Sequence, residues 1–441
     1  MTEFPSAREL GVDSSAGKPP PIDAADLVVR SEDSRLQADR VCAKVAAVIA
    51  VRVLVALLGS ALVVWTIGSA VKTVVLPRAT SSVLTRATFI NVRRVFDLLA
   101  SQRQSFEFRD RILAMYSPIA LLALPATWVA LVMAGFTGVF WGLGLHPWSE
   151  AFIVSGSSLL TLGFDRPFGM WRTLASFVEA GIGLGLVSLM ISYLPTIYSN
   201  FSRREALVGM LEVRAGLPPS PAELLVRYER IGWGGRIHDD LLTRWEQWFI
   251  EVEESHTSQP SLVFFRSPHP GRSWITAAGC VLDTAAITAS TIDRPHEAQA
   301  DIMLRTGWFC LRRICDFYGI AYDPDPAPDD PISITRHDFD LVCVELHAAG
   351  IPLKADRDQA WSDFAGWRVN YDMALLSLCS LIDAPPAKWS SDRAPIKRIK
   401  PKVFRKAANQ ASRTWTSRPP RSAARSVPVS DAGAGPEQFP D

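Results

Sequence analysis

Apolar positions are grouped in runs along the chain rather than spread evenly. Residues 53–71 carry no charged side chain and lie between Arg52 and Lys72, about the length needed to cross the ~30 Å hydrocarbon core of a bilayer. Residues 112–149 contain no Asp, Glu, Lys or Arg, and between Arg172 and Arg203 the only charge is Glu179. These runs predict three membrane helices, over 53–71, 117–142 and 173–197. The connector 72–111 holds eight Lys/Arg against three acids and places Phe89, Val92, Val95, Phe96 and Leu99 at helical spacing, the pattern of a basic amphipathic segment on the cytoplasmic side. Past residue 203 the pattern changes to helical stripes. The stripes are Leu241, Leu242, Trp245, Trp248, Phe249 and Val252; Leu304, Trp308, Leu311, Cys315 and Tyr318; and Trp361, Phe364, Tyr371, Leu375 and Leu378.

These patterns predict an all-α membrane protein in five parts: a disordered N-terminal tail (1–45), a first span with its basic connector (46–111), a membrane module of two spans and the loop between them (112–204), a helical cytosolic domain (205–392) and a disordered basic tail (393–441). Basic flanks at 72–111 and at Arg203-Arg204 put those ends inside, so the loop 143–172 falls outside; one span before them would put the N-terminus outside as well, but Arg40, Lys44 and Arg52 oppose that, and the alternative is a first segment that does not cross. The location implied is the inner (plasma) membrane, crossed several times, with the C-terminal domain cytoplasmic.

Composition adds three constraints. The formal net charge of +1 hides a segregation: residues 393–430 hold eleven Lys/Arg and no acid, so the rest of the chain is net acidic. A tail of that charge is suited to anionic lipid at the inner leaflet; with no folded reader beside it, nucleic acid is not expected as a partner. The six cysteines form no C-x-x-C pair and read as reduced thiols. The first 45 residues carry eight acidic groups and no short apolar core before a cleavage site, unlike a secretory signal peptide.

The loop between the second and third runs carries the chemistry. Trp148 to Asp165 is too short and polar for a full crossing and too apolar for a solvated loop, which predicts a re-entrant segment: a half-crossing helix at 148–160, then a short extended piece at 161–165. In its sequence, Thr161-Leu162-Gly163-Phe164-Asp165, and in its place between two spans, the stretch 112–204 resembles the two-transmembrane, pore-loop potassium channel family, whose filter reads T-V-G-Y/F-G-D. That resemblance implies a homotetramer in which the carbonyls of Thr161, Leu162, Gly163, Phe164 and Asp165 replace the hydration shell of a monovalent cation, potassium in the family. The second filter glycine is absent. Either Asp165 occupies its place, or the family's outer aspartate stands one position earlier; ion selectivity is open on that account.

Supporting residues follow from the same region. Gly163 suits a positive φ. Trp148 and Phe164 are candidates for aromatic packing that holds the filter open. Glu179, an ionisable group one third of the way into the third run, reads either as a carboxylate behind the filter or as the partner of Arg166 or Arg172. Gly181, Gly183 and Gly185 with Pro195 suggest an inner helix that acts as a gate, with Gly185 or Pro195 as its hinge, or close packing through small residues at Gly181 and Gly185.

Other signals are weak. Glu254 and His256 lack a third ligand, and the Asp/Pro segment 323–331 lacks the spacing of a calcium loop, so no metal and no cofactor are expected. No nucleotide-binding, hydrolase or zinc-protease motif is present, and an enzyme is not expected. The helical domain would sense an unidentified ligand or stabilise assembly. The alternative function is a non-conducting membrane scaffold or signalling protein built on a channel fold.

Overall fold

The computed structural model describes residues 24–74, 82–100, 105–232 and 241–395, with side chains from Arg40 onward. These residues form thirteen α-helices and no strand. Three of the helices are long and apolar enough to cross a membrane: α1 (Ala24–Val74), α4 (Tyr116–Gly142), which α3 precedes in the same apolar segment, and α6 (Met170–Ala215). Most of the basic tail (396–441), including Lys397, Arg398, Lys400, Lys402, Arg405 and Lys406, lies outside the described residues, as do residues 1–23; its first residue, expected to be disordered, instead ends a 3-10 turn (Ser391–Arg393), where Arg393 Nη2 lies 3.1 Å from Asp338 Oδ1.

α1 begins well before the apolar run. Residues 24–45, expected to be disordered, are its first turns. No Gly or Pro occurs between Ala24 and Leu58, so a helix nucleated in the apolar run can propagate back through them cheaply. At 51 residues α1 is about 76 Å long, far more than a bilayer core.

α1 runs antiparallel to α4, and the crossing is set by small residues. A Cβ on Gly59 would run into the Gly135 carbonyl, Gly138 faces Val55, and Gly142 lies against the Arg52 carbonyl and Ala56. Without a water-driven hydrophobic effect, close backbone approach of this kind is what holds membrane helices together. The contacts place Arg52 at the same end of the molecule as Gly142. α6 starts where α4 ends, with Arg172 on the Leu143 carbonyl, so the three long helices alternate in direction.

α2 (Val83–Leu99) turns back alongside α1, with Ser69 Oγ 2.5 Å from Ser82 Oγ and Thr73 Oγ1 2.6 Å from Thr85 Oγ1. Its apolar stripe is divided: Phe96 is buried, Phe89 and Val92 pack partly on the core, and Val95 and Leu99 are exposed. α3 (Phe106–Ala114) leads into α4.

The C-terminal region contains α7 (Pro221–Arg230), α8 (Thr243–Ser258), α9 (Trp274–Thr291), α10 (Ala298–Tyr318), α11 (Arg336–Ala348), α12 (Arg357–Arg368) and α13 (Asp372–Ile382). The first two stripes read from the sequence are buried, the first in α8 and the two leucines just before it, Leu241 and Leu242, and the second in α10. The third is broken between α12 and α13: Asn370 Nδ2 donates to the Gly366 carbonyl at 2.9 Å, while the Asn370 carbonyl accepts from Arg312 Nε at 2.8 Å. That exchange removes a helical acceptor and turns the chain. Five cysteines are buried thiols and Cys42 is exposed.

The C-terminal region shares one apolar core with the base of the membrane part: Phe96, Leu113, Tyr116 and Ala120 pack in the same cluster as Val208, Trp248 and Trp274. Arg204, read from sequence as a basic stop at the membrane surface, is instead 3% exposed inside this joint. Its guanidinium donates to the carbonyls of Leu262 (2.8 Å) and Phe265 (2.7 Å), to His256 Nε2 (3.1 Å) and to Glu205 (2.8 Å). Burial first, and the neighbouring Arg204 charge second, hold the His256 imidazole well below its usual range, so it is neutral and free to accept from Arg204. At the base of α4, Arg109 makes a two-pronged pair with Asp383 at 2.8 Å, and Arg266 pairs with Asp110.

Candidate functional site

The site is built around α5 (Trp148–Leu159), a short helix held between α4 and α6. Its start is fixed at the end of α4, where the Trp148 ring stacks on Trp141 with centroids 4.7 Å apart. The same end is closed by Arg172, which donates from Nε (3.1 Å) and Nη2 (3.0 Å) to the Leu143 carbonyl, a cation on the negative end of a helix. The other end of α5 meets α6 at Gly183, where any Cβ would collide with the Leu159 carbonyl oxygen. Gly183 lies about 16 Å along α6 from Arg172. α5 thus ends about 16 Å along α6 from Arg172, and the chain returns to the Arg172 end by residue 170.

Three serines of the segment Ser155-Gly156-Ser157-Ser158 anchor the helix, and sequence reasoning singled out none of them. Ser155 Oγ lies 2.5 Å from Glu179 Oε1 and 3.0 Å from the Met133 carbonyl, joining α4, α5 and α6. Ser158 Oγ lies 2.5 Å from Ser176 Oγ of α6. Ser157 organises the loop: its carbonyl accepts from the amides of Leu162 (2.9 Å) and Gly163 (3.3 Å), and its hydroxyl accepts from the Asp165 amide at 3.1 Å. The available signal was the density of serine in an otherwise apolar stretch, where each hydroxyl needs a partner.

The candidate filter differs from the extended piece anticipated at 161–165. The Leu162 amide bonds the Ser157 carbonyl and the Thr161 amide bonds the Ser158 carbonyl at 3.0 Å, the two bonds of a Schellman cap. Thr161 holds the left-handed position of that cap, at φ 54°, and Gly163 is also left-handed, at φ 70°. Thr161 and Leu162 thus wrap the end of α5, because the helix's last carbonyls take the nearest available amides. Leu162 and Phe164 are 60% and 67% exposed, and a Cβ on Gly163 would meet no atom within 4 Å. These residues face away from the body of their own chain.

The supporting residues are placed as follows. Trp148 packs on Trp141, not on Phe164, which makes no ring contact among the described residues. Glu179 is fully buried against α5, with Oε2 unpartnered, and forms no ion pair among the described residues. Arg172 is engaged by Leu143 instead, and Arg166 is exposed. Of the three glycines, the tight contact belongs to Gly183; Gly181 and Gly185 face open space. Pro195 is exposed within the continuous helix α6. No group of three or more His, Cys, Asp or Glu side chains able to hold a metal occurs among the described residues.

No protein-family model, curated protein or solved structure matches the chain.

Proposed function

We propose that the chain assembles as a homotetrameric membrane pore that passes monovalent cations, potassium by the family resemblance, with residues 161–165 around the axis. The observation that carries this reading is the short helix α5, held between two long apolar helices and presenting an exposed loop at its C-terminal end; in a bilayer such a helix would reach about half the depth of the core. Backbone at that depth is tolerated where protein or water covers it, and copies of the same chain around a wet axis supply both. The C-terminal end of α5 carries its negative dipole at mid-membrane, which favours a cation there. Asp165 adds one carboxylate per chain near the mouth. The C-terminal domain then lies on the cytoplasmic side, gripping α6 at Arg204 and the base of α4 at Arg109 and Asp110, and would bias the inner helices through Gly185 or Pro195.

Cation flux into liposomes holding the purified protein tests the reading. Wild-type flux abolished by Gly163→Ala supports it; a Cβ there meets no atom of its own chain within 4 Å, so the loss would not report a clash inside the chain. A second reading, a non-conducting scaffold, is favoured by the Schellman wrap at 161–162 and the missing second glycine. Silence of the wild-type protein across voltage and pH selects the scaffold.

A further inference from the structure

We infer that Glu179 and Ser155 form a proton-dependent clasp: Glu179 is held as the neutral acid, donates to Ser155, and so locks α5 between α4 and α6; loss of the proton opens it. The inference rests on the three-helix geometry and holds whether or not the assembly conducts.

The hydrogen-bond inventory leads to it. Ser155 has one hydroxyl proton. Two acceptors lie within reach, Glu179 Oε1 at 2.5 Å and the Met133 carbonyl at 3.0 Å. Both contacts are made at once when Ser155 donates to Met133 and a second proton, on Glu179, bridges the short contact. The separation of 2.5 Å is at the short end for an O–H···O bond and admits either oxygen as donor. The remaining oxygen, Oε2, is buried and without a partner. An unpartnered carbonyl oxygen of a neutral acid is a modest cost in such a place, whereas a carboxylate with one bare oxygen is a large one.

Among the described residues no nearby charge favours ionisation. α4 offers no titratable residue between Ser117 and Gly142, and α1 none between Val53 and Val71. On α5 the only titratable group is Glu150, exposed at the far end. On α6 itself the nearest is Arg172, two turns away and bonded to the Leu143 carbonyl. In the loop, Asp165 is half-buried with its backbone on Ser157, and Arg166 is exposed. A negative charge on Glu179 would face hydroxyls and apolar side chains only, and the relaxation open to it is separation of α5 from α6 toward water.

Full-length protein in lipid vesicles provides the test. Difference infrared spectroscopy of wild type against Glu179→Gln at pH 6 is expected to show a protonated carboxylic-acid band that the variant lacks, and in wild type alone that band is expected to fade at alkaline pH. Absence of the band at pH 6 overturns the proposal. Glu179→Gln, whose amide can still donate to Ser155, is expected to unfold at the wild-type temperature at pH 6 and to lose the wild-type fall in that temperature at alkaline pH. Glu179→Ala and Ser155→Ala are expected to unfold lower at both. A Gln variant as unstable as the Ala variant at pH 6 would mean that Ser155 serves a carboxylate, and the clasp would fall. If the Gln variant does not fold, the wild-type titration of the band decides alone. Neither readout uses ion flux, so failure here is distinguishable from failure of the pore reading.

Discussion

The molecule buries carboxyl groups in two regions and supports them in opposite ways. In the C-terminal domain, Arg368 is 0% exposed and joins Asp283 and Asp372; its Nε is 2.7 Å from Asp372 Oδ1, and Nη2 donates to the Trp389 carbonyl at 2.6 Å. Tyr371 donates to Asp283 at 2.7 Å, and Ser333 donates to Asp372 at 2.6 Å. In the membrane part, Glu179 has a hydroxyl and no cation. The domain folds out of water, where both charges of a pair are available at first, and the desolvation of each is offset by the other and by several hydrogen bonds. A segment entering lipid must also bring few charges with it, so helices there are joined by hydroxyls and glycines. Breaking an anchor should therefore cost most where opposite charges are matched and least where only backbone conformation is at issue.

The largest effect is expected from Arg368→Met. It leaves Asp283 and Asp372 buried near one another without a cation, and such losses cost about 3–5 kcal/mol. Thermal unfolding of the purified protein should show a pronounced drop, and adding Asp283→Asn should recover part of it, because one uncompensated charge is then removed. If Arg368→Met unfolds like wild type, charge matching is not what stabilises this core.

Next is Arg204→Met at the joint between the two regions. The substitution orphans the carbonyls of Leu262 and Phe265 and the acceptor nitrogen of His256, at about 2–4 kcal/mol. The loss should be local. Amide hydrogen exchange in 259–267 and at the base of α6 should quicken well before that of α9 and α10. Uniform quickening would place Arg204 in the global core rather than at a joint.

How far these features could be read from sequence follows from what each depends on. The long apolar helices and the stripes in α8 and α10 are written in local hydropathy, and the short helix expected at 148–160, found at Trp148–Leu159, follows from length and polarity together. What escaped was pairwise and distant. Arg204 looks like a membrane-surface charge because its partners lie more than fifty residues away, at Leu262 and Phe265. The clasp was half visible: Glu179 stood out as a lone charge, but its partner Ser155 is a small polar residue that any helix tolerates. The Schellman cap at Thr161 was hidden because the position usually goes to glycine, and a threonine there gives no turn signal. Among the three glycines of α6, equal spacing cannot tell which one meets the Leu159 carbonyl.

That last ambiguity provides a third test, within the membrane part. Gly183→Val forces α5 away from α6 and should cost about 1–3 kcal/mol as an overpacked contact. Gly181→Val and Gly185→Val point into open space in the single chain and should leave its unfolding within about 0.5 kcal/mol of wild type. Equal damage at all three positions would mean that the helices approach each other along a different face.

The smallest effect is expected at Thr161, and its sign separates a cap from a filter. A β-branched residue at φ 54° occupies a conformation that costs such side chains about 1–3 kcal/mol. Glycine adopts it without strain but loses more freedom on folding. Thr161→Gly should therefore stabilise the protein against heat by a net of about 1 kcal/mol. Thr161 Oγ1 returns only to the carbonyl of its neighbour Leu160, at 2.8 Å, so removing the hydroxyl breaks no contact with another helix. If the strain is kept because that hydroxyl faces a permeating ion, the same variant should gain stability and change the ratio of potassium to sodium flux in liposomes. A gain in stability with that ratio unchanged would leave Thr161 as a cap alone, and a loss of stability would show that the left-handed threonine is supported by neighbours that a single chain does not contain.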